Sequence, residues 1–124
     1  MRRIILIAAL AGALLVPATA VAWDDVTVFV AFPQRATSGQ VSTMDFHVML
    51  GGKPLDLATV GRRVGSLEPT VVFVRGRDRV IATAHRTARP GVYRVRVLLP
   101  AGGAWSYSFR YDGLVRTFPR IKAR

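Results

Sequence analysis

The sequence predicts an all-β sandwich, and two observations carry that reading. From Val26 onward, short runs rich in Val, Phe, Tyr and Thr recur between Gly and Pro punctuation. No stretch keeps the i, i+3, i+4 apolar spacing of a helix. Strands are expected at Val26 to Phe32, Val41 to Leu50, Thr59 to Val64, Thr70 to Arg75, Val80 to Thr87, Val92 to Leu99, Ala104 to Tyr111 and Leu114 to Phe118. Seven or eight short antiparallel strands in about 100 residues match an immunoglobulin-like sandwich.

Turn chemistry and alternation support these elements in order. In the second strand Met44, Phe46, Val48 and Leu50 share one face, and Asp45, His47 and Met49 share the other. Gly51-Gly52 with Pro54 ends that strand, and Arg75-Gly76-Arg77-Asp78 reads as a hairpin turn. Pro90-Gly91 leads into a strand that sets Tyr93, Val95, Val97 and Leu99 against Arg94 and Arg96. Gly102-Gly103 precedes a strand that sets Trp105, Tyr107, Phe109 and Tyr111 against Ser106, Ser108 and Arg110. Period-2 patterning sends the aromatic and aliphatic sets into the core and the arginines to solvent. Tyr93 stands at the head of a late strand, where a hydroxyl often ties sandwich strands to a corner. The segment from Pro119 to Arg124 is expected as a basic tail beyond a domain spanning residues 23–118.

Composition narrows the chemistry. At 124 residues, the chain has room for one ordinary domain. It has no cysteine, which excludes disulfide scaffolds, Cys-ligated metal centres, thiol catalysis and lipobox acylation. Hydrophobic residues make up 51%, too many for a disordered chain.

Residues 1–22 have the layout of a secretory signal: Arg2-Arg3, an apolar run from Ile4 to Val16, Pro17, and a small-residue end at Ala20-Val21-Ala22. Trp23 is the expected mature start. An uncleaved anchor is the alternative, because Ile4 to Ala22 is 19 uncharged residues. Cleavage leaves 102 residues and lowers the net charge from +11 to +9. An exported basic protein meets anionic headgroups, wall polymers or envelope proteins rather than genomic DNA, so nucleic acid is not an expected partner. The alternative is compositional, since 16 of the 18 basic residues are Arg, a bias that a GC-rich genome also produces.

The stretch from Gly39 to about Gly113 resembles the YtkA-like domains, related to FixH-type proteins. The similarity lies in Gly39-Gln40-Val41, in Gly52-Lys53-Pro54-Leu55 followed by Ala58-Thr59-Val60, in Arg89-Pro90-Gly91-Val92-Tyr93, and in Leu99-Pro100-Ala101-Gly102 before Trp105. The resemblance implies an immunoglobulin-like fold outside the cytoplasm, often attached to membrane or copper-related systems. The segment from Val64 to Arg75 lacks the Met-rich stretch of the metal-associated members.

Two features bear chemistry. Asp45, His47 and Met49 alternate on one strand, and imidazole and thioether are copper ligands, with His85 the candidate from elsewhere. The ordinary alternative is an exposed sheet face. The second feature is positive charge: Arg75, Arg77 and Arg79 surround one turn, and Arg116, Arg120, Lys122 and Arg124 close the chain. Arg62, Arg63, Arg86, Arg89, Arg94 and Arg96 add to it, and arginine forks bind phosphate and carboxylate. A solvated rim is the competing meaning. With two histidines, no nucleophile elbow and no paired-carboxylate or metal-hydrolase motif, no enzyme is expected. The resulting expectation is a non-catalytic exported module whose partner is an envelope or membrane-associated protein or an anionic membrane surface, with copper handling as the rival.

Overall fold

A computed structural model describes residues 22–30, 35–60 and 68–124. The expected signal segment, apart from Ala22, lies outside the described residues, as do Ala31, Phe32, Arg62 and Arg63. Strands run β1 (Val26–Val30), β2 (Arg35–Ala36), β3 (Val41–Leu50), β4 (Lys53–Pro54), β5 (Thr70–Arg75), β6 (Asp78–Arg86), β7 (Val92–Leu98), β8 (Gly103–Tyr111) and β9 (Leu114–Ala123). Single 3₁₀ turns form at Trp23–Asp25 and Leu57–Thr59.

The ladder order is β1-β3-β7-β6-β5-β8-β9-β2, with β4 paired to β3. Strand β6 joins the two layers: its residues 84–86 pair with β7, and its residues 78–83 pair with β5. The sheet therefore curls on itself into an immunoglobulin-like sandwich. All the long strands pair antiparallel, and the short β2 runs parallel to the end of β9, placing Arg35 beside Lys122.

Alternation builds the core as the sequence predicts. Phe46, Val48, Val71, Phe73, Val95, Trp105 and Phe109 are fully buried between the layers. Phe46 from one layer meets Tyr107, Phe109 and Phe118 from the other at ring separations of 6.2, 5.3 and 5.6 Å. Edge and tilted contacts of this kind add to the area they bury. Trp105 donates its indole N–H to the Ala101 carbonyl at 3.0 Å, satisfying its one polar group.

The structure corrects three expectations. Thr59 and Val60 belong to a 3₁₀ turn and its end, where a strand over Thr59 to Val64 was expected; the remainder of that range lies outside the described residues. Asp56 caps this turn through its carboxylate, which accepts from the Ala58 N–H. The last strand does not stop at Phe118, and no free tail follows Pro119. The register of β8 and β9 shifts between Trp105 and Tyr107, so that Phe118 faces Tyr107 and Ile121 faces Trp105. The extra residue of this bulge accommodates Pro119, which cannot donate to a ladder. Beyond it, Ile121 and Ala123 return to the core. Finally, Ser108 lies on an outward face yet is buried, and its hydroxyl accepts from the Arg110 Nε–H at 3.0 Å.

Candidate anion-binding surfaces

Strand register decides which expected ligands meet. Asp45 pairs with Arg94, and Arg94 pairs with His85 across the next ladder. His85 and Asp45 are thus two strands apart, roughly 10 Å, with an arginine between them. Arg94 grips the Asp45 carboxylate with both prongs, Nε at 2.8 Å and Nη2 at 3.1 Å. That bond holds the Asp45 carboxyl below the usual carboxylate range, against the opposing effect of partial burial. His47 stacks face to face on Phe29 of β1, with ring centroids 4.8 Å apart and planes 6° from parallel. Met49 lies one row further along, opposite Thr27 and Pro54. His85 pairs with Glu68 at 3.2 Å. The four candidate copper ligands share an outer face, but His85 is not brought to the others. Among the described residues, no group of three or more His, Asp or Glu side chains is placed to hold a metal ion.

The arginines divide by their roles. Arg116 donates to the carbonyls of Trp23 and Val26, tying the start of β1 to β9. Arg75 bonds the Gly102 carbonyl at 2.8 Å and Asp78 at 3.0 Å, and lies 5.7 Å from the centre of the Trp105 ring. Both are structural arginines. The Arg75 bond also joins the β5–β6 turn to the β7–β8 loop, where Gly103 and Ala104 pair with Ala123 and Lys122. Arg77 and Arg79 from that turn, Lys122 and Arg124 from the end of β9, and Arg35 from β2 therefore gather at one end of the sandwich, all exposed. Arg120 is exposed nearby at the bulge. Arg124 is held through its backbone, its N–H donating to Ala36 and its carbonyl accepting from Ser38.

The second basic region is concave. His85, Arg86, Thr87, Ala88, Arg94 and Arg96 line a groove of about 300 Å³ at the other end of β6. Arg86 is anchored by Asp56, Arg94 by Asp45 and His85 by Glu68. The Thr87 hydroxyl donates to the Val92 carbonyl at 2.9 Å and accepts from the Arg89 N–H at 3.2 Å, fixing the turn that closes the groove. The alternation of Arg94 and Arg96 was visible in the sequence. Their meeting with His85 depends on a ladder register that no local spacing encodes.

Two buried phenols organise the loop beside this region. The Tyr93 hydroxyl accepts from the Leu57 N–H at 2.9 Å and donates to Asp56 Oδ1 at 3.3 Å. The Tyr111 hydroxyl donates to the Leu57 carbonyl at 3.1 Å. Burial pushes the Tyr93 phenol up to about 12, and the neighbouring Asp56 charge acts in the same direction.

The fold and these surfaces define the class: an immunoglobulin-like sandwich whose buried polar side chains hold loops and whose outer faces are basic. No family model and no curated protein matches the sequence. Among solved structures, the chain is similar to the crystal structure of the Lin-41 filamin domain, with a TM-score of 0.54 and 10% sequence identity over 81% of this chain and 92% of that one. At this identity the likeness concerns the fold.

Proposed function

We propose that the protein is a non-catalytic, exported binding module that contacts anionic components of the cell envelope through the basic end of its sandwich. The observation that carries this reading is the gathering of Arg35, Arg77, Arg79, Lys122 and Arg124 from three separate stretches of chain. Like charges converge there with Asp78 as the carboxylate paired to Arg75, a costly arrangement unless an anionic partner offsets the repulsion. The filamin-like fold supports a binding role rather than a catalytic one. Export rests on the signal-like segment. Trp23, the expected mature start, packs its ring edge-on against Tyr111 at 6.2 Å.

Sedimentation of the purified protein with vesicles tests the contact. Binding is expected to phosphatidylglycerol-containing vesicles at low salt, to fade at high salt, and to be negligible on phosphatidylcholine. A protein that stays in the supernatant with anionic vesicles at low salt overturns the reading. Amino-terminal sequencing of protein from the extracytoplasmic fraction tests export, with Trp23 the expected first residue.

A further inference from the structure

We propose that the basic end of the sandwich docks on an anionic lipid bilayer, with Val41 and Leu98 entering the boundary between headgroups and acyl chains while the neighbouring cations hold the phosphates. The inference rests on the reading of the basic end given under Proposed function and narrows its partner from anionic components in general to a membrane surface.

Among the described residues, five large apolar side chains are exposed: Phe29, Val41, Ile81, Leu98 and Val115. Single exposed apolar residues are ordinary on a soluble surface. Phe29 is stacked on His47, Ile81 stands opposite the buried Val72, and Val115 stands opposite Arg110. Val41 and Leu98 differ, because they face each other across the β3–β7 ladder. The Val48 N–H bonds the Gly91 carbonyl, which sets the phase of that ladder and makes Val41 and Leu98 a non-hydrogen-bonded pair. In such a pair the α-carbons are about 4.5 Å apart and the side chains are at their closest. Even so, Val41 remains 54% exposed and Leu98 47%. The two make one apolar patch, and the exposed Pro100 follows it in the chain.

Backbone bonds tie this patch to the cations. The Gly39 N–H donates to the Leu99 carbonyl at 2.8 Å, and the adjacent Ser38 N–H donates to the Arg124 carbonyl at 2.7 Å. The loop after Leu98 runs to Gly102, whose carbonyl holds Arg75 at the base of the turn bearing Arg77 and Arg79. The patch therefore sits on the rim of the end that carries Arg35, Lys122 and Arg124. A soluble polyanion or wall polymer would engage the cations and leave the pair in water. A bilayer engages both, because its phosphates overlie an apolar interior, and interfacial binding grows with buried apolar area plus electrostatic attraction. Arginine and lysine stems can lie along apolar surface with their charges at the phosphates. The remaining charge orients the molecule. Asp24 and Asp25 are exposed just before β1, whose first residue pairs with Leu50. Leu50 is the far end of the ten-residue β3 that Val41 begins, about 30 Å away at roughly 3.3 Å per residue. These acids point away from a membrane that the basic end meets, a polarity that steers the encounter.

Vesicle sedimentation of the purified protein tests the proposal. Val41→Ser together with Leu98→Ser removes apolar surface and no charge, and is expected to weaken binding to phosphatidylglycerol-containing vesicles on the order of tenfold. Rising salt is expected to weaken native protein and double variant in the same ratio, since screening acts on charge and not on apolar transfer. Binding to polyphosphate, a polyanion without an apolar interior, is expected to be equal for the two. Ile81→Ser with Val115→Ser, the same kind of change outside the patch, is expected to leave vesicle binding unaltered. Unchanged melting temperatures check that these variants fold. The chain has no cysteine, so Leu98→Cys carries a single environment-sensitive fluorophore. Its emission is expected to shift to the blue on anionic vesicles and to be quenched by lipids brominated in the acyl chain. Vesicle binding by the double variant equal to that of the native protein, or a label at position 98 that stays in water, overturns the insertion and leaves the electrostatic contact standing. A double variant that loses polyphosphate binding to the same extent also overturns it, because the substitutions then act through the cations. A native protein that binds no anionic vesicle overturns both readings.

Discussion

Leu57 has both backbone polar groups engaged by phenols from opposite layers, its N–H by Tyr93 and its carbonyl by Tyr111. The two bonds are unequal. The carbonyl also accepts from the Val60 N–H at 3.1 Å, whereas Tyr93 is the described acceptor for the N–H. Tyr93→Phe therefore leaves a buried donor without a partner and is expected to cost about 1 to 3 kcal/mol, and Tyr111→Phe about 0.5 to 1.5. Urea unfolding of both variants checks the order, and equal midpoints would contradict it. Burial also lifts the Tyr107 phenol to about 12, as it does that of Tyr93, and raises the Tyr111 phenol. An unfolded tyrosine ionises near about 10, so between the two values the native state holds the protons that the unfolded state has lost. These groups contribute stability in full below pH 10, and it is lost as pH rises towards 12. Denaturation midpoints flat from pH 7 to 9 and falling steeply above 10 are the expected outcome, with tyrosinate absorbance appearing together with unfolding. The sequence pointed to the Tyr93 hydroxyl as a tie. It could not show the partner, which lies 36 residues upstream in a turn whose last residue, Thr59, local patterning read as the start of a strand.

Elements follow local patterning wherever one face is buried and the backbone is regular. The strands around Phe46, Val95 and Phe109 were legible for that reason: a slip of one residue would turn every core side chain to solvent. Pro119 defeated the same logic, because a bulge restores pairing beyond a residue that cannot pair, and bulges leave no sequence period. Gly91 shows how tightly a turn can be determined. Its φ is +74°, its carbonyl accepts from the Val48 N–H, and a Cβ there would stand 2.8 Å from the Val48 carbonyl oxygen. Backbone cannot yield as a flexible side chain can, so Gly91→Ala adds a steric clash to left-handed strain of about 1 kcal/mol or more. It is expected to destabilise far more than Gly76→Ala, where φ is +59° but the space is open. Thermal melts of the two variants separate the contributions, and similar melting temperatures would show that the close approach at Gly91 is unimportant. Trp105→Ala belongs to the same scale. It empties the centre of β8 and removes the ring beneath Arg75, with an expected loss of about 3 to 5 kcal/mol by urea unfolding.

At the scale of the molecule, a net charge of +11 was plain from the sequence, and its distribution was not. Arg116 and Arg75 are spent on carbonyls, while Arg35 and Lys122, far apart in the chain, become neighbours through the parallel pairing of β2 with β9. This changes how the electrostatic contact has to be tested. Deleting residues 119–124 would seem to remove a basic tail, yet it also removes Ile121 and Ala123 from the core and the β2 pairing. Such a deletion is expected to unfold the last strand, and its effect on binding would say nothing about charge. Substitution at exposed positions keeps the fold: Arg77→Gln, Arg79→Gln and Lys122→Gln together remove three charges from one end. Juxtamembrane basic residues each contribute about 1 kcal/mol against an anionic membrane, so the triple variant is expected to bind anionic vesicles on the order of a hundredfold more weakly at low salt. The deficit should shrink as salt rises, because the Debye length falls from about 10 Å at 0.1 M to about 3 Å at 1 M. A control removing three charges elsewhere, Arg86→Gln, Arg89→Gln and Arg96→Gln, alters net charge equally. If both triples weaken vesicle binding alike, attraction follows total charge, and the basic end has no special part in it.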